Sequence, residues 1–256
     1  MNDQRPDRET VASAELEGRM YLYEQPEPLS KEDHGHLGLA KLANPFAFAS
    51  SIRMVPVLFS EIASAQKHYP VVFSELKNPM PVAVLGVLED VNLFVDATGR
   101  WDPACYVPSY LRRYPFAFAR RSEEQFAIVI DRAAAIISDN PEYPFFDGDE
   151  LTENTREMME FCSKYETERL RTVEFCNRLK DLDLLVAQQI GHRPDGEEEE
   201  PVARYVTVDV DKLNDLDADA LREMHLNGVL AAIYAQVFSL ENWNRLLDRR
   251  ARLRQP

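Results

Sequence analysis

Hydrophobic and polar positions follow two regimes: short apolar runs up to about residue 147, then helical spacing beyond it. Three runs stand out first, PVVFSEL at 70–76, VAVLGVL at 82–88 and NLFVD at 92–96. They are strand length, rich in Val and Phe, and bounded by Asn78, Pro79 and Pro81 or by Glu89-Asp90. Links this short predict an antiparallel meander, because a parallel pair needs a crossover of about a dozen residues. Asp96-Ala97-Thr98-Gly99 then predicts a tight turn, with Gly99 able to take positive φ. The stretch WDPACYVPSYLRRYPFAFARR at 101–121 predicts a short helix and another extended piece, and EQFAIVID at 124–131 a further strand. Upstream, Pro26 and Pro28 in MYLYEQPEPL forbid a helix and predict an extended lead-in. Residues 36–59, punctuated by Pro45 and Pro56, read as extended pieces, followed by a short helix at 60–69.

The second regime opens near Asp147-Gly148-Asp149. No Pro or Gly occurs from 152 to 190, and Met158, Phe161, Cys162 and Tyr165, then Val173, Cys176, Leu179, Leu182, Val186 and Ile190, recur at helical intervals. That spacing predicts one long helix over 148–190, bent midway. GHRPDGEEEEP at 191–201 is a charged linker rich in helix breakers. Beyond it ARYVTVD alternates like a strand. Asp217 or Asp219 caps a helix running to Asn227, and Gly228 interrupts it. Residues 229–238 are almost wholly apolar, and a last helix opens near Ser239, Glu241 and Asn242. Its Arg249, Arg250, Arg252 and Arg254 suit the negative end of a helix dipole. The fold class expected is α+β, an antiparallel sheet meander in the N-terminal half with a long helix and a C-terminal helical segment packed on it. Its parts are a loose polar lead at 1–19, a β-rich core at 20–147, the long helix at 148–190, the acidic linker at 191–201 and a strand with helices at 202–256. Residues 20–256 are expected to form one compact domain.

Composition narrows the class. With 45% hydrophobic and 29% charged residues the chain reads as globular rather than disordered. Its 29 basic against 44 acidic residues leave a formal charge of −15, which repels phosphate backbones and speaks against nucleic acid. Three cysteines, Cys105, Cys162 and Cys176, are too few and too odd for a secreted disulfide scaffold. The amino-terminal twenty residues lack the basic head and apolar stretch of a signal peptide. No apolar run is long enough to span a bilayer. A soluble, cytoplasmic protein is therefore expected.

The motif search is mostly negative. GxGxxG after a strand, GxxxxGK[ST], GxSxG, CxxC and HExxH are all absent, and no cofactor is predicted. Cys162 and Cys176 share one apolar helical face and read as core. His34-Gly35-His36, beside Glu32 and Asp33, is a weak metal candidate, since imidazoles two apart on an extended segment can share an ion. The plainer reading is a solvated loop or a capping histidine. Glu197–Glu200 lacks the glycine-pinned geometry of a cation loop and reads as a solvated run. The densest candidate is YVPSYLRRYPF at 106–116, with Tyr106, Tyr110, Arg112, Arg113 and Tyr114, preceded by Asp96 and Trp101. Aromatic faces beside guanidinium groups can grip peptides, sugars or carboxylates. The alternative is a packing corner in which the arginines pair with acids.

Several strings resemble the SapC family: YPVVFSE at 69–75, PVAVLGV at 81–87, NLFVDATGRWDPACYVPSYLRRYPF at 92–116, and the closing VTVDVDKLNDLDADALREMHLNGVLAAIYAQVFSLENWNRLL at 206–247. Upstream, Ser30, His34 and Leu37 match the opening pattern of that bacterial family, and the resemblance spans about residues 21–247. It implies a genomic setting beside TonB-dependent outer-membrane receptors, cupin-like oxygenases and tryptophan-halogenase-like proteins, and it implies no catalytic residues. Three functions remain open. The first is a binding or accessory protein that recognises a peptide, a protein or an acidic glycan through the aromatic–arginine surface. The second is an enzyme working with the neighbouring oxygenases, metal-assisted if His34, His36 and Asp96 converge. The third is a homodimer formed through the C-terminal helices, which carry apolar residues on more than one face.

Overall fold

The computed structural model describes residues 21–87, 90–120, 126–192 and 200–253. The polar lead at 1–19, Glu89 of the Glu89-Asp90 joint, the first residues of the 124–131 strand, positions 193–199 of the acidic linker and Arg254 lie outside them.

In chain order, β1 (Pro26–Pro28), α1 (Lys31–His34) and β2 (Gly38–Leu39) come first. β3 (Met54–Pro56), a 3-10 turn at Phe59–Glu61 and α2 (Ile62–Ala65) precede β4 (Val71–Phe73) and β5 (Pro81–Val84). Next are α3 (Ser109–Arg112), β6 (Phe116–Arg120) and β7 (Phe126–Asp131), then β8 (Ile137–Ser138), β9 (Tyr143–Pro144), β10 (Phe146–Asp147) and β11 (Glu150–Leu151). The long helix α4 (Glu153–Asp181) leads to β12 (Leu185–His192) and β13 (Glu200–Val208). Four helices close the chain, α5 (Val210–Asn214), α6 (Ala218–Leu226), α7 (Val229–Ser239) and α8 (Asn242–Leu253).

The main sheet has the order β12-β13-β4-β5-β3, antiparallel throughout. A second sheet runs β1-β7-β6, and the short strands form β8-β2-β9 and β10-β11. The fold is therefore the antiparallel meander packed by one long helix and by C-terminal helices that the apolar spacing predicted. α7 is fastened to the sheet by polar groups. Gln236 Nε2 donates to Val71 O at 2.9 Å, Gln236 Oε1 accepts from Val208 N at 3.3 Å, and Ser239 Oγ accepts from Val71 N at 2.8 Å. Around them Ile233, Ala232 and Val229 pack with Phe73, Phe175, Leu179 and Leu185.

Three expectations need correction. The linker expected over 191–201 gives its ends to a hairpin, Gly191 and His192 of β12 pairing with Pro201 and Glu200 of β13. Residues 92–96 form turns rather than a strand: Leu93 N reaches Leu85 O at 2.8 Å, but Asn92 spends its side chain on Ala49 O (3.0 Å) and Phe94 N (2.9 Å). Only one bridge follows, Val95 to Trp101. The long helix ends at Asp181, not at 190, and residues 185–192 are strand β12. The stop is a left-handed Asp183 (φ 51°), with Asp183 N bonded to Lys180 O and Leu184 N to Leu179 O, both at 2.9 Å. That bond pair is the αL termination usually given to glycine. At its other end α4 starts where Thr152 accepts from Thr155 N.

Candidate functional site

The segment 101–114 is divided between interior and surface. Trp101 is buried, stacked against Phe94 at 6.4 Å, and its Nε1 donates to Cys105 O at 3.3 Å. Tyr110 is fully buried, its hydroxyl donating to Tyr21 O at 2.6 Å. The Arg113 side chain is only 3% exposed. Its guanidinium lies between the rings of Tyr110 (4.3 Å) and Tyr165 (4.1 Å) and meets Glu166 Oε1 at 3.3 Å. The Tyr114 hydroxyl donates to Asp131 Oδ2 at 3.0 Å, and Asp131, itself buried, also accepts from the backbone of Glu24 and Gln25. Asp96 is exposed but occupied, its Oδ1 accepting from Thr98 N (2.8 Å), Thr98 Oγ1 (2.6 Å) and Arg100 N (3.1 Å). Those bonds hold its carboxyl below the usual carboxylate range.

What faces outward is built over a buried acid. Glu61 closes its own 3-10 turn by accepting from Leu58 N at 3.0 Å. Its other oxygen accepts from Ser109 N at 2.7 Å and from the Tyr106 hydroxyl at 2.5 Å. Glu61 thus replaces the missing cap of α3, where Pro108 offers no side-chain acceptor. Burial and this carboxylate push the Tyr106 hydroxyl up to about 12. Arg112 lies above them. Its Nη2 donates to Ser109 Oγ (2.7 Å) and Tyr106 Oη (3.2 Å), its Nε to Val107 O (3.1 Å), and its guanidinium covers Phe161 at 5.2 Å and Tyr106 at 5.7 Å. The side chain stays 41% exposed, 4.0 Å from Glu61. A pinned, partly open guanidinium on aromatic rings can receive a carboxylate with little further ordering.

The SapC family matches residues 29–246 of the chain. The chain belongs to the SapC family. Searches of curated proteins and of solved structures return no match.

In this SapC-family chain the two histidines part ways. His34 is buried, its Nδ1 accepting from Ser30 N at 3.1 Å, while Ser30 Oγ accepts from Asp33 N at 3.2 Å. The Ser30–His34 spacing is therefore a helix-capping device for α1. His36 is exposed and sits 3.8 Å from Asp139. Among the described residues no group of three or more His, Cys, Asp or Glu converges as metal ligands would. Cys162 and Cys176 are buried, and burial pushes each thiol up to about 12. Cys105 lies beside the Asp102–Arg249 pair (2.7 Å), and its thiol is pushed up to about 11. A separate cavity of about 240 Å3 lies by the start of α4, lined by Leu39, Tyr143, Phe145, Asn154, Glu157 and Met158 among others. Glu61, Phe161, Tyr165 and Glu166 carry the site's geometry without a local sequence signal, because each lies some 45 residues or more from the arginine or tyrosine it serves.

Proposed function

We propose that this SapC-family chain is a binding or accessory protein that receives a carboxylate of a peptide, protein or acidic glycan partner on Arg112. The observation that carries this reading is the partly exposed Arg112 guanidinium, fixed by Ser109, Val107 and Tyr106 over two aromatic rings. Arg113 is excluded from contact with a partner by its burial. A second copy of the chain is a further partner, met through the C-terminal helices, which leave Tyr234 and Phe238 exposed. Free thiols, two of them buried, fit a reducing compartment such as the cytoplasm. No helix among the described residues is long and apolar enough to cross a membrane.

The formal charge of −15 opposes an acidic partner at long range, so encounter should quicken as salt rises, opposite to a steered pair. An array of acidic peptides and acidic glycans tests the reading. Wild type should bind a subset of features, Arg112→Ala should lose them by tenfold or more, and Leu170→Ala, an exposed change elsewhere, should keep them. Equal binding by wild type and Arg112→Ala would overturn the reading.

A further inference from the structure

The cavity of about 240 Å3 beside the start of α4 shares no lining residue with the Arg112 surface. Its floor is the ring pair Phe116 and Phe145, both buried and set edge to face at 5.6 Å. Leu39 and Met158 extend the apolar lining. Leu39 of β2 stands opposite Tyr143 of β9, and Thr152 ties β9 to the start of α4. The Thr152 hydroxyl donates to Pro144 O at 2.8 Å, and Thr152 N to Phe145 O at 3.1 Å. Strand and helix thus hold the walls apart, and the hollow is preformed.

The mouth is polar. Tyr143, 40% exposed, borders it with the exposed Asn154 and Glu157, and Asn154, Glu157 and Met158 share one face of α4. Thr155 also lines the cavity but meets Thr152 through its hydroxyl at 2.9 Å. Charge at the mouth is one-sided, since residues 139–157 carry seven acids and one base. That base, Arg156, lies 3.6 Å from Glu150, and Lys41 lies 3.5 Å from Glu142. Glu157 has no ion-pair partner among the described residues.

We propose that this cavity binds a small primary amine carrying one aromatic ring, with the ring inward and the ammonium at Glu157. A closed cavity of about 150 Å3 holds one benzene ring, and drug-sized ligands need about 300–1,000 Å3. The volume here therefore suits a ring with a two- or three-carbon arm. Phe116, Phe145 and Tyr143 offer that ring edge and face contacts, and the Met158 thioether adapts to its outline. An aromatic carboxylate of equal length finds the same floor and a repelling mouth, to which the formal charge of −15 adds.

Amide chemical shifts of the full chain, titrated with phenethylamine and in parallel with phenylpropanoate, test this. Phenethylamine should move the amides of Tyr143, Phe145 and residues 154–158 and saturate with a Kd of about 1 mM or tighter. Phenylpropanoate should bind at least tenfold more weakly. Glu157→Gln should weaken the amine threefold or more, as loss of a partly solvated ion pair does. Asn154→Trp, an exposed change that fills the mouth, should abolish binding, and Leu170→Ala should bind as wild type does. The proposal is overturned by the absence of saturable shifts, by shifts confined to other residues, or by equal affinity for the carboxylate. Wild-type affinity in Glu157→Gln or in Asn154→Trp overturns it too.

Discussion

Arg112 and Arg113 are neighbours in sequence and opposites in environment. One guanidinium is 41% exposed over aromatic rings, whereas the other is 3% exposed between two tyrosines with Glu166 at 3.3 Å. Arg113→Ala empties the space between the Tyr110 and Tyr165 rings and removes one of the two arginines on Glu166, Arg169 Nε keeping it at 2.7 Å, for a cost of about 1–3 kcal/mol. Arg113→Ala should therefore lower the urea midpoint more than Arg112→Ala, which gives up partly exposed hydrogen bonds and should cost about 1 kcal/mol or less. Equal midpoints for the two variants would refute this division. The sequence showed that tyrosine and arginine cluster here but not which residues face outward. That choice is made by Tyr165 and Glu166 on α4 and by Glu61 on the turn before α2, none of which is near the motif in the chain.

At the scale of elements, apolar spacing was legible wherever turn chemistry was conventional. β4, β7, β13 and the helix over 218–226 lie close to where Val, Phe and Asp217 placed them, with Asp217 accepting from Ala220 N at 2.8 Å. It misled where a side chain did work usually left to glycine or to a strand ladder. Asp183 takes the left-handed position that ends α4, and its carboxylate and carbonyl both meet Lys212 Nζ, at 2.5 and 3.0 Å. Without Pro or Gly in the stretch, no stop signal is visible. A β-branched residue tolerates positive φ poorly, so Asp183→Val should cost about 1–2 kcal/mol, while Asp183→Gly should stay within about 1 kcal/mol of wild type. Chemical denaturation of both variants measures this, and parity between them would refute the role. In the same way Asn92 supplies bonds to Ala49 and Phe94 that a continuing strand would have supplied from its backbone.

Over the whole molecule, burial sets the response to alkali. Thiols with an ordinary value of 9.0 are pushed up to about 11 at Cys105 and about 12 at Cys162 and Cys176, and the Tyr106 hydroxyl moves from 10.0 to about 12. Tyr69 and Tyr114 are raised as well, also chiefly by burial. Because each folded value lies above the unfolded one, the unfolded chain releases these protons first. The stability these groups contribute is fully present below about pH 9 and is lost as pH rises through about 12. The urea midpoint should fall steadily from about pH 9 upward, and a level midpoint to about pH 11 would show that these groups are hydrated. The main sheet, meanwhile, draws β3, β4 and β5 from residues 54–84 and β12 and β13 from residues 185–208, joined at Val206 and Phe73. During synthesis the early strands therefore leave the ribosome with the β4 edge unclaimed until more than a hundred further residues have been made. A nascent chain in that interval offers a bare, Val- and Phe-rich margin open to pairing with other chains, so overproduction should lose protein to inclusion bodies at this stage.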